Sequence, residues 1–222
     1  MNLCLFDLDH TLLPLDSDHE FGEFLIRKGL ADAVQYRQTN DGFYQQYCDG
    51  TLVLADYIRF TTSVWRQMSH TEQVALQHDF MHEVIYPAMA PQAVELVERH
   101  RAEGDLMAIV TATNEFVTRP IADAFNVGDL LAVRLVRDPV GRVTGEIDGV
   151  PSFREGKITR VEQWLAEKGH QLGDFDRVSF YSDSPNDLPL LERATDPVAT
   201  NPSPALETVA RERGWRVLRL FA

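Results

Sequence analysis

The run Phe6-Asp7-Leu8-Asp9-His10-Thr11 sets two carboxylates two positions apart, directly after the apolar stretch Leu3–Phe6. Alternate residues of an extended chain share a side, so Asp7 and Asp9 can address one substrate, one as nucleophile and the other as general acid/base. Another acidic pair, in Ser182-Asp183-Ser184-Pro185-Asn186-Asp187, follows the apolar stretch Val178–Tyr181. Such a cluster suits a hard cation such as Mg²⁺, which prefers oxygen ligands and commonly uses one or two carboxylates with substrate phosphate and water. Thr111 closes a third stretch, Leu106–Val110, and Lys157 opens the helically spaced segment Gly156-Lys157-Ile158-Thr159. Each residue has an ordinary alternative, because aspartate and threonine often end strands as turn formers or N-caps and a lone lysine is usually solvated. Their convergence is the signal. In an open parallel sheet the carboxyl ends of the strands form the ligand crevice, and three strand ends here aim polar groups at one place.

The elements that must position these groups are legible too. The three stretches, with Pro197–Ala199 and Val217–Phe221, read as strands buried on both faces of a parallel sheet. Segments with helical spacing lie between them, for example Ala93, Leu96, Val97 and His100 before Gly104, and Ile158, Val161, Trp164 and Leu165 before Gly169. Each ends at a glycine suited to a helix C-terminus. The alternation predicts an α/β, doubly wound parallel sheet with a Rossmann-like core. Residues 16–84 break it, showing no buried-strand run but two capping-box patterns, Ser17-x-x-Glu20 and Ser69-x-x-Glu72. They predict an inserted cap of about four helices, leaving residues 1–15 and 85–222 as the catalytic core. The alternating stretch Arg134–Val150 predicts a β-hairpin. The aromatics Phe21, Phe24, Phe43, Tyr44, Tyr47, Tyr57, Phe60 and Trp65 read as the cap's own core, and His78 and His82, at zinc-ligand spacing without a third ligand, read as a solvated pair.

Composition narrows the function. With 34 acidic against 21 basic residues the formal charge is -13, which disfavours nucleic acid and anionic membranes as partners. It does not exclude phosphate chemistry, since a bound divalent cation reverses the local sign. No run approaches the roughly 20 apolar residues of a membrane helix. Two isolated cysteines, Cys4 and Cys48, and an N-terminus without a signal-peptide pattern point to the cytoplasm.

Taken in order, Asp7-x-Asp9-x-Thr11, Thr111, Lys157 and Asp183-x-x-Asn186-Asp187 resemble the motifs of the haloacid dehalogenase-like superfamily. The helical insertion straight after the first motif is similar to the subgroup that includes the phosphoserine phosphatases. Departures are mild: His10 stands where glycine or serine is common, Thr111 where serine is common, and Ser182 and Ser184 where glycines are common. The resemblance implies a magnesium-dependent phosphatase of small phosphomonoesters working through an aspartyl-phosphate. In it Asp7 is the nucleophile, Asp9 the acid/base, and Thr111 and Lys157 hold phosphoryl oxygens. The metal falls to Asp7, the Asp9 backbone carbonyl and Asp183, with Asp187 and Asn186 supporting them. Asp9 speaks for phosphate chemistry, because the family's dehalogenases lack it. Transfer to an acceptor other than water stays open; a receiver-like signalling domain fits neither the motif order nor the length. Substrate contacts are expected from Thr111, Lys157, Asn186, Asn114 and Asp16, the last standing where the phosphoserine phosphatases carry an acid that reads the substrate amine. Arg59 and Arg66 are the nearest candidates for a carboxylate reader.

Overall fold

The computed structural model describes residues 1–49 and 51–221. Strand β1 (Leu3–Phe6) is followed by helices α1 (Ser17–Arg27), α2 (Ala33–Cys48), α3 (Leu54–Thr62) and α4 (His70–Phe80), the last running through a π-helical turn, Met81–Ile85, into α5 (Tyr86–Ala88). Then come α6 (Pro91–Ala102), β2 (Leu106–Asn114), α7 (Glu115–Ala124), β3 (Asp129–Val133), and an antiparallel hairpin of β4 (Leu135–Arg137) and β5 (Val143–Ile147). The chain closes with α8 (Glu155–Glu167), β6 (Val178–Ser182), α9 (Leu188–Leu191), β7 (Asp196–Thr200), α10 (Pro204–Glu212) and β8 (Arg216–Leu218).

Six strands form one parallel sheet in the order β3-β2-β1-β6-β7-β8. This is the doubly wound sheet with inserted helices that the apolar runs predicted. Its strand order reverses at β1, which lies between β2 and β6, and the crevice of such a sheet opens at that point, above the strands' carboxyl ends. Alternation along the strands divides the core: Cys4, Phe6, Ile109 and Tyr181 belong to one hydrophobic cluster, and Leu3, Leu5, Ala108, Val110 and Phe180 to the other. No helix among the described residues is long and apolar enough to cross a membrane.

Several details differ from the sequence reading. Strand β3 was not anticipated; it ends one residue, Arg134, before the hairpin begins. The capping box at Ser69 and Glu72 forms, but α1 is capped by Asp16, whose Oδ1 accepts from the N–H groups of Asp18 and His19 at 3.0 and 2.9 Å. The N–H of Ser17 is instead taken by Asp9 Oδ1.

The inserted helices also do not keep a core to themselves. Phe21, Phe24, Trp65 and Phe80 share one cluster with Phe6, Phe116 and Ile121, and Trp65 stacks on Phe116 of α7 at 3.7 Å. Phe43 and Phe60 do pack within the insertion, against Tyr57 and Tyr36. On the far side the hairpin grips α3: Arg59 pairs bidentately with Glu146, and Arg66 Nη1 donates to the Thr144 carbonyl. Gly145 is favoured there because its φ of 91° lies in the left-handed region that strains other residues. His78 and His82 lie exposed on the surface.

Candidate active site

The ends of β1, β2 and β6 and the first turn of α8 deliver polar groups to the reversal point. Asp7 leaves the end of β1 with its N–H bonded to the Tyr181 carbonyl of β6 at 2.9 Å, which fixes the backbone. The turn beyond it holds His10 at φ 56°, in the left-handed region that favours glycine. The Leu8 carbonyl then accepts from Thr11, Leu12 and Leu13, winding one tight turn that brings the Thr11 hydroxyl back over Asp7.

Lys157, in the first turn of α8, is 3% exposed and sits between two carboxylates: Asp7 Oδ1 at 2.7 Å and Asp187 Oδ2 at 2.8 Å. Burial alone would lower its pKa, but Asp187 and Asp7 outweigh it and hold the ammonium charged. Asp187 is fixed by the Ser182 hydroxyl at 2.7 Å. Asp183 receives the other side of Thr11, whose hydroxyl lies 3.2 Å from Asp7 Oδ2 and 3.3 Å from Asp183 Oδ1. Asp183 has no cation of its own among the described residues, and burial first, then the charges of Asp7 and Asp187, push its pKa up to about 8. Asp7 is raised to about 6, chiefly by burial, with Lys157 opposing the rise.

This donor set fits a hard divalent cation. Asp7 and Asp183 present carboxylate oxygens to a common space, and the cluster carries more negative charge than Lys157 neutralises. Asp7, Asp183 and the Asp9 carbonyl could hold the ion, with Asp187 behind them.

Asp9 faces the other half of the site. Its Oδ1 accepts from Ser17 N–H at 2.8 Å and its Oδ2 from the Thr113 hydroxyl at 2.9 Å. Burial first, then the charge of Asp16, raises its pKa well above the carboxylate norm. Thr113 was missed by the sequence reading; it lies past the apolar run that drew attention to Thr111, in the part of β2 that continues to Asn114. Thr111 is buried, and its Oγ1 accepts from Thr113 N–H at 3.1 Å.

The remaining candidates are placed as follows. Asn114 is the N-cap of α7, its carbonyl oxygen accepting from Phe116 and Val117 and its amide reaching Asp18 at 3.4 Å. Both its polar atoms are thus engaged within the protein. Asn186 donates to the Tyr47 hydroxyl of α2 at 2.6 Å, tying an inserted helix to the Asp183–Asp187 turn. Asp16, while capping α1, is close enough to raise the pKa values of both Asp9 and Asp18. Arg59 and Arg66 are committed to the hairpin.

Residues 4–192 match the family model of the haloacid dehalogenase-like hydrolases. The histidinol-phosphatase of Neisseria meningitidis serogroup C is 42% identical over 98% of both chains. A Bordetella pertussis protein of unknown function, known from its crystal structure, is 51% identical, covers 99% of both chains and superposes with a TM-score of 0.94. A substrate-bound phosphoserine phosphatase, 17% identical, shares the fold with a TM-score of 0.65 over 97% of this chain and 91% of that one.

Proposed function

Since this chain belongs to the haloacid dehalogenase-like hydrolases and is a phosphatase, we propose that it hydrolyses a small, amine-bearing phosphomonoester through an aspartyl-phosphate on Asp7, with Mg²⁺ as cofactor. The observation that carries this reading is the pairing of a buried Asp7, bonded to Lys157 at 2.7 Å, with an Asp9 held by two donors and able to carry a proton.

An Asp7 carboxylate oxygen attacks phosphorus and the ester P–O bond breaks, with Asp9 protonating the departing oxygen. Asp9, now ionised, takes a proton from water as that water attacks the acyl-phosphate, releasing phosphate and restoring Asp7. Lys157 and Thr111 stabilise the phosphoryl oxygens as charge shifts among them, Lys157 staying charged because Asp187 and Asp7 flank it. When bound, Mg²⁺ supplies charge neutralisation between the phosphoryl group and Asp7 and Asp183.

The substrate class rests on the 42% identical relative named a histidinol-phosphatase and on the charges around Asp9. Arg59 and Arg66, the nearest candidates for reading a substrate carboxylate, are engaged with the hairpin. That favours an amine without an obligatory carboxylate, histidinol phosphate ahead of phosphoserine. A phosphate-release screen over metabolites, with and without Mg²⁺ and with Asp7→Asn as control, tests it. Preference for a sugar phosphate or nucleotide would defeat the substrate class, and release by Asp7→Asn at the wild-type rate would defeat the mechanism.

A further inference from the structure

Asp187 holds Lys157 in place, and what holds Asp187 is a series of hydrogen bonds that ends outside the core. Its Oδ2 accepts from the Ser182 hydroxyl at 2.7 Å, and Ser182 Oγ in turn accepts from the Ser184 N–H at 3.2 Å. Ser184 Oγ accepts from the Asn186 N–H at 3.2 Å, and the Asn186 side-chain amide donates to the Tyr47 hydroxyl at 2.6 Å. Tyr47 lies on α2 of the insertion, 139 residues before Asn186. At the other end of the series Lys157 donates to both Asp187 and Asp7, at 2.8 and 2.7 Å. The links thus run without a gap from an inserted helix to the nucleophile. Ser182 and Ser184 stand where the family motif commonly has glycines, and glycine has no hydroxyl to donate to Asp187 or to accept from Asn186. A hydroxyl that accepts one hydrogen bond donates a stronger one, so linked bonds reinforce one another.

A second contact reaches Lys157 from the other side. The Tyr47 ring lies 6.3 Å from that of Phe153. The Phe153 carbonyl accepts from the Gly156 N–H at 2.9 Å and the Arg154 carbonyl from the Lys157 N–H at 3.0 Å, which makes Phe153 part of the turn that opens α8. One residue of the insertion therefore touches both the Asp183–Asp187 turn and the turn that carries Lys157.

Resting on the reading of Asp7 as nucleophile, we propose that Tyr47 is a positioning residue: seated on Asn186 and Phe153, it sets, through Ser184 and Ser182, the Asp187 carboxylate that aligns Lys157 with Asp7. The rate of the chemical step is thereby tied to the seating of the inserted helix, although Tyr47 acts only through other residues.

The test is a double-mutant cycle between Tyr47→Phe, which removes the hydroxyl and keeps the ring, and Ser184→Ala, read by turnover of an aryl phosphate with Mg²⁺. Each single variant should lower kcat about tenfold and change KM less than about twofold, because orientation and not substrate binding is lost. The double variant should be no slower than the slower single one, since both changes break one series of bonds and their effects do not add. Ser182→Ala takes the second place in the cycle if Ser184→Ala does not fold. Losses that multiply in the double variant, or an unchanged kcat in Tyr47→Phe, overturn the proposal. A loss confined to KM overturns it too, because it would make Tyr47 a substrate contact. Wild-type turnover by purified Asp7→Asn defeats the nucleophile reading and this proposal with it, whereas failure of the cycle leaves that reading standing.

Discussion

Thr113 donates its hydroxyl proton to Asp9 Oδ2 at 2.9 Å, joining strand β2 to the turn after β1 across 104 residues of chain. With the Ser17 N–H on Oδ1, it leaves the Asp9 carboxyl group a single orientation. A donor to a carboxylate favours its ionised form. Thr113→Val should therefore lower kcat about tenfold with little change in KM, and move the alkaline limb of the pH–rate profile to higher pH as Asp9 holds its proton longer. A lowered rate with an unmoved limb would mean that Thr113 acts only on packing.

Asp7 and Asp9 perform different tasks, attack and proton transfer, in one turn of chain. Asp7→Asn and Asp9→Asn should each lower turnover of an aryl phosphate by at least about a hundredfold, a typical scale for general acid/base residues. The folds should survive, because asparagine is isosteric. Near-normal turnover by either purified variant contradicts the assignment.

Among the described residues, Lys157 is the one cation that Asp7 and Asp187 share. Removing one partner of a buried ion pair costs about 3–5 kcal/mol when the remaining charge is left uncompensated. Lys157→Met should lose that order of stability at pH 8 in chemical denaturation, and less at pH 5, where Asp7, with its pKa raised to about 6, can take up a proton. Equal losses at both pH values would show that the charges are compensated in another way.

The raised pKa values of Asp7, about 6, and Asp183, about 8, set a direction for the metal-free protein. Between the ordinary carboxylate value near 4 and about 8, the folded state holds more protons than the unfolded chain, so stability falls as pH rises through that window. A bound divalent cation compensates the same charges. Melting should thus occur at lower temperature at pH 8 than at pH 5.5 without metal, and Mg²⁺ should raise Tm more at pH 8. At a hundred times its Kd the cation adds about 2.7 kcal/mol. A Tm that rises with pH in metal-free buffer, or no response to Mg²⁺, contradicts the donor set.

What could be read from the sequence follows from where information is local. Asp7, Thr111 and Asp183 each close an apolar run, so both the strand and its polar tip were visible together. Thr113 was invisible because its meaning lies in a partner far along the chain, Asp9. Strand β3 escaped as well, ending one residue before the hairpin begins. The inserted helices were visible as helices, but not their dependence on the core: the Trp65–Phe116 stack makes the two a single cluster. Excising residues 16–84 would strip that cluster open.

The central claim is a phosphoryl group carried on Asp7. Enzyme quenched during turnover of a phosphomonoester with Mg²⁺, then reduced with borohydride, converts a phosphorylated aspartate to homoserine, which peptide mass spectrometry locates. The account predicts homoserine at residue 7, and none in Asp7→Asn. Homoserine at another aspartate, or steady turnover with residue 7 never modified, would contradict it.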